Sequence, residues 1–220
     1  MESRVELTLA TFLQYAIAQA VARGVPENTM VLLLLFPLVA TLIAAARHFV
    51  GLRGFGVFTP AVVSIVFLAT GLPLGISLFL GILGFAMLGR MLLKRLRLQY
   101  LPQLAMLVWI MSIGMMFLFV FVPSLGNIGI FPILLLVLLT ETFISAQISH
   151  GIKSAARMTI ETLALAIISY LLMSAHQTQT WVLTHPELTM AGLFGTNILL
   201  GQFTGLRMLE YWRFRSLLRK

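Results

Sequence analysis

Residues 72–122 read LPLGISLFLGILGFAMLGRMLLKRLRLQYLPQLAMLVWIMSIGMMFLFVFV, and this stretch decides the fold. Two apolar runs, 72–93 and 103–122, each approach the roughly twenty residues that a helix needs to cross a hydrocarbon core. Arg90, Lys94, Arg95 and Arg97 gather where the first run gives way to the second. A short basic hinge between two long apolar segments is the pattern of a chain that crosses a bilayer, turns at its surface and crosses again.

Working outward, the same pattern recurs. Spans are expected at about 28–48, 55–70, 72–93, 103–122, 129–149, 157–175 and 187–208, a seven-transmembrane helical bundle of the all-α membrane class. Arg47 and Arg53 separate the first two spans, Lys153 and Arg157 the fifth and sixth, and Arg207, Arg213, Arg215, Arg219 and Lys220 follow the last. Thirteen of the fifteen basic residues thus fall on one side, and the opposite side keeps only Arg4 and Arg23. Basic residues are retained in the cytosol, so the expected topology is N-terminus outside and C-terminus cytosolic.

Composition agrees. Hydrophobic residues make up 60% of the 220 and charged residues 10%, against about a quarter charged in a soluble domain. The net charge of +8 is explained by topology, so no nucleic-acid partner is expected. Strand-like alternation is absent, which excludes a β-barrel reading. There is no cysteine, hence no disulfide, thiolate metal site or cysteine nucleophile. No cleavable signal peptide is read at the start, where Glu2 and Glu6 replace a basic opening.

Three domains follow: 1–27, an extracytoplasmic amphipathic helix and linker; 28–208, the spanning domain; and 209–220, a basic interfacial tail. In the first, Leu9, Phe12, Leu13, Ala16, Ile17, Ala20 and Val21 share a helical face, and Gly24 and Pro26 end the helix. Pro37 is expected to kink the first span. Paired Phe-Pro motifs at 36–37 and 131–132, and Arg-Met-Leu motifs at 90–92 and 207–209, suggest a 3+1+3 parallel repeat.

Glu141 is the most informative single residue. It lies within the fifth span, about two turns from the cytosolic end, where a carboxylate is costly unless paired, protonated or wetted. A ligand, ion or proton site competes with a structural pair to a neighbouring arginine, or with a helix end that lies nearer water. Arg157 and Glu161, four residues apart, are expected to form a local ion pair on one helix face. A second candidate begins at Gly51-Leu52-Arg53-Gly54-Phe55-Gly56 and runs to Thr59-Pro60. Thr59 as N-cap and Pro60 as first helical residue would start a helix that stops before Gly71. At about eleven residues, roughly 16 Å, it could not span alone. Its free amides, with Arg47 and Arg53, would bind an anion. The alternative is a regular helix from about Arg53, kinked at Pro60.

Gly71-xxx-Gly75 and Gly201-xxx-Gly205 are expected to be packing motifs, and Asn197 and Gln202 to hydrogen-bond neighbouring helices. Trp181 and Trp212 fit interfacial belts. His48, His150, His176 and His185 divide between the two sides, and no HExxH, GxSxG or nucleotide loop occurs, so no catalytic residue, metal or cofactor is expected.

The run Phe36-Pro37-Leu38-Val39-Ala40-Thr41-Leu42-Ile43-Ala44, Ala46-Arg47-His48, the glycine-rich segment from Gly51, Thr70-Gly71, Gly201-Gln202-Phe203-Thr204-Gly205 and Trp212-Arg213-Phe214-Arg215 resemble one known bacterial family. This is the seven-transmembrane domain usually fused behind an inactive transglutaminase-like domain, and the resemblance covers nearly the whole chain. It implies seven spans in a bacterial inner (cytoplasmic) membrane, an extracytoplasmic transglutaminase-like domain and a cytosolic ATP-grasp glutamate-ligase-like partner. That outer domain is not among these residues, which suggests an excised piece or a short variant. The glycine-rich loop is also loosely similar to the small membrane subunit of capsular polyglutamate synthesis. The expected function is a non-enzymatic membrane partner of a ligase-type peptide pathway, docking the enzyme or exporting an acidic product. Rival readings are a receptor-like transducer and a small-solute or proton-coupled transporter using Glu141.

Overall fold

The computed structural model describes residues 12–52, 54–96, 98–123, 125 and 128–202. Their order is α1 (Phe12–Ala22), α2 (Glu27–Val50), α3 (Phe58–Thr70), α4 (Leu72–Leu93), a 3-10 turn (Lys94–Leu96), α5 (Tyr100–Phe121), α6 (Ile130–His150), α7 (Ile152–Ser174), α8 (His176–Thr184) and α9 (Pro186–Gln202). No strand occurs among the described residues. Among the described residues five helices are long and apolar enough to cross a membrane: α2, α4 with its 3-10 extension, α5, α6 and α7.

The sequence dictates most of these boundaries. Pro73, Pro102 and Pro132 sit in first turns, where a missing N–H removes no ladder bond. Gly51 caps α2 at φ 88°, ψ 25° and donates its N–H to the Arg47 carbonyl 3.0 Å away. Gly71 breaks α3 from α4 at φ 80°, a conformation that a side chain would strain. α2 runs unbroken through Pro37, and the Thr41 hydroxyl donates to the Pro37 carbonyl at 2.9 Å. α8 is an additional short helix inside what was expected to be the loop between the last two spans.

By its contacts the chain divides into two compact units, one from Gly54–Tyr170 and one from Met1–Arg53 with Leu171–Lys220. The division falls inside the domain expected at 28–208. In the Gly54–Tyr170 unit, α4 is central and packs on α3, α5 and α6, with α3 also against α6. Phe67, Leu78, Ile82, Leu107, Met111, Leu136 and Ile144 are almost wholly buried there. Helix contacts are tight where glycines remove side chains. A Cβ on Gly114 would fall 2.6 Å from the Phe85 ring, and one on Gly75 2.5 Å from that of Phe67. Gly75 thus has the packing role expected of it, whereas Gly71 serves the turn.

In the other unit, α2 packs on α8 and α9, and α1 on α9. Leu35, Val39 and Ile43, four residues apart, form the fully buried stripe of α2. Among the described residues a Cβ on Gly201 would meet nothing within 4 Å, and Gly205 lies outside them. The Phe-Pro pairs do not match in position. Pro37 is in mid-helix and Pro132 in a first turn, and residues 207–209 of the second pair of motifs lie outside the described residues.

Candidate functional site

The glycine-rich segment enters the Gly54–Tyr170 unit as irregular backbone. Gly54–Val57 are not helical, so a regular helix from about Arg53 does not form; Arg53 itself lies outside the described residues. α3 begins at Phe58, preceded by Val57, and no side chain caps it. Thr59 is therefore in the first turn, not the N-cap that the spacing predicts. The physical reason is burial. Thr59 is only 9% exposed, and the segment's polar demand is met from another helix. The Phe55 N–H donates to the Thr162 hydroxyl of α7 at 2.9 Å, in a fully buried setting. A Cβ on Gly54 would lie 2.9 Å from the same oxygen. Buried irregular backbone is tolerated at membrane depth only with such partners.

α3 does stop before Gly71, as expected. At 13 residues it is about 20 Å long, short of a roughly 30 Å hydrocarbon core. Its first turn faces apolar side chains. Phe55, Phe79, Ile82, Leu83, Leu136, Leu139 and Phe143 close with Thr59 around a space of about 10 Å³. Phe55 and Phe143 meet edge to face at 6.1 Å. A gap of that size and lining leaves no room for an anion beside the Thr59 side chain.

The two faces of α6 carry different chemistry. Glu141 is on the exposed face, where the Tyr100 hydroxyl donates to its Oε1 at 3.3 Å and shares a 3.2 Å bond with Ser145. Among the described residues its partner is a tyrosine and no arginine. Thr140, Ile144 and Gln147 lie on the buried face. Gln147, 4% exposed, accepts through Oε1 from Nη1 of half-buried Arg90 in the last turn of α4. Thr59 packs by the buried face of α6, so the fold does not bring it to Glu141. The sequence reading passed over Arg90–Gln147. The signal available was the spacing 140, 144, 147, which places an amide on the buried stripe.

Arg157 Nε lies 3.2 Å from Glu161 Oε1 within α7; the arginine is mostly exposed and the glutamate mostly covered. Arg47 sits in the last turn of α2, half buried, where a cation complements the helix dipole.

In the split unit, Asn197 of α9 donates through Nδ2 to the Thr41 hydroxyl at 2.7 Å, the interhelical bond expected of it. Gln202 is exposed at the end of α9. α1 is fastened by Gln14, whose backbone N–H donates to the Glu187 carboxylate at 2.9 Å and whose Nε2 donates to the Thr184 carbonyl at 2.6 Å. An open groove of about 640 Å³ runs beside it, lined by Ile17, Ala18, Val21, Glu27, Leu183 and Thr184 among others. Trp181 is exposed and stacks on His185 at 4.7 Å; Trp212 lies outside the described residues, with the whole of 209–220.

Long apolar helices with broad apolar exposure, glycine-mediated contacts and sparse polar bonds define a multi-pass membrane helical bundle. A family model matches residues 5–218, and the chain belongs to that family: 7 transmembrane helices usually fused to an inactive transglutaminase. No curated protein matches the chain, and no solved structure does.

Proposed function

We propose that the chain is a non-enzymatic unit of a bacterial inner membrane, with seven spans and a cytosolic C-terminus. It docks a cytosolic ATP-grasp ligase-like enzyme and passes that enzyme's acidic peptide product outward. The observation that carries this reading is the irregular Gly54–Val57 entry followed by the short α3. Interrupted spans occur where a membrane protein encloses a route, because the freed backbone groups must be met inside the protein. The basic residues between spans supply attraction for an acidic cargo on the side from which it would come. Co-purification with a ligase-like protein encoded beside it, together with a product-export assay in cells, tests the reading. Association and outward movement are expected; neither occurring overturns it.

A second reading is favoured by the family's usual fusion. A fused domain that binds without turnover would suit an outer sensor whose state the bundle relays inward. Removing that domain from a fused relative should then abolish the cytosolic output while the bundle still assembles. Output that survives the removal eliminates the relay.

A further inference from the structure

We infer that Arg90, oriented by Gln147, binds the phosphate of an anionic phospholipid in the leaflet that the basic segments face. The guanidinium is half buried, and its hydrogen-bond partner is a neutral amide. Among the described residues no carboxylate pairs with it; Glu141, the acidic group on the same helix as Gln147, is engaged by Tyr100. A guanidinium carries five N–H donors in a rigid fork, suited to two oxygens of one phosphate. Gln147 takes one donor and, being almost wholly buried, fixes the plane of the rest.

Lys94 stands four residues on, on the same face. Two cations so placed repel each other, and an anion held against both removes that cost. The helix dipole already favours cations at this end, so charge by itself would not indicate a ligand. The orienting contact from Gln147 is what a merely interfacial arginine lacks. Met87, Leu88, Met91, Leu92 and Leu96 are exposed along the same stretch. They offer acyl-chain contact directly beside the cations, and basic clusters between helices at the cytoplasmic surface hold lipid headgroups. This apolar surround selects a lipid phosphate over free phosphate.

The test uses purified full chain in detergent, with lipid retention read by native mass spectrometry and thermal protection read in parallel. The probes are phosphatidylglycerol, phosphatidylcholine and inorganic phosphate. Wild type should retain and be protected by phosphatidylglycerol alone. Arg90→Gln should weaken retention roughly tenfold, the scale of one charge-assisted contact. Arg90→Lys keeps the charge and disturbs folding least. It should also lose most of the retention, because an ammonium lacks the fork. Equal protection by phosphatidylcholine or by inorganic phosphate, or wild-type retention by Arg90→Lys, overturns the assignment.

Discussion

The two units hold their polar groups in opposite ways. In the Gly54–Tyr170 unit the decisive bond, Phe55 N–H to Thr162, is fully buried, and the residue beside it can only be glycine without displacing that hydroxyl. In the split unit the bonds made by Gln14 are partly or wholly exposed, so water can replace them. A hydrogen bond that water can replace is worth little net. One that leaves an orphaned donor in a dry interior costs the full desolvation of that donor. The comparison teaches that irregular backbone is bound to its unit far more tightly than the surface helix α1 is bound to its own.

The largest test is at Gly75. Gly75→Val places carbon where Phe67 and the Thr70 hydroxyl already are, and should destabilise by about 3 kcal/mol, read from unfolding in mixed micelles. Thr162→Val comes next, at about 2 kcal/mol, with Thr162→Ser recovering most of the loss because the hydroxyl acceptor returns. If the valine variant costs nothing, the buried bond does not hold the segment. Asn197→Ala, which removes the α9–α2 bond, should cost about 0.6 kcal/mol, the usual size of such contacts inside membranes. Gln14→Ala should cost less than about 0.5 kcal/mol and show chiefly as faster amide exchange in α1. A reversed order, with Asn197→Ala above Thr162→Val, would break the comparison.

Much of the fold was legible because apolar length and prolines act locally. The ends of α4 and α6, the stop before Gly71 and the end of α1 before Gly24 follow from residues at those positions. The start of α3 was not. Thr59-Pro60 carries a cap signal, but Thr162, more than a hundred residues later, supplies the hydroxyl that meets the Phe55 amide upstream of it. α8 was missed because its sequence, His176 to Thr184, is polar and lacks the apolar length that marked the spans. Glu141 stood out in the sequence, yet its tyrosine partner belongs to α5 and depends on tertiary pairing that spacing does not report. Arg90 was counted only as a topology charge, because its distinguishing feature is an amide on another helix.

The partition of the chain also sets an order of assembly. One unit is contiguous from Gly54 to Tyr170, while the other draws on both sides of it. As the ribosome feeds helices into the bilayer, α2 must wait for α8 and α9 before its Leu35–Val39–Ile43 stripe is covered. The contiguous unit has all its partners in hand once residue 170 is made. Ribosome-bound chains halted shortly after that point should therefore contain a protease-resistant core that excludes α2, because distant contacts close last.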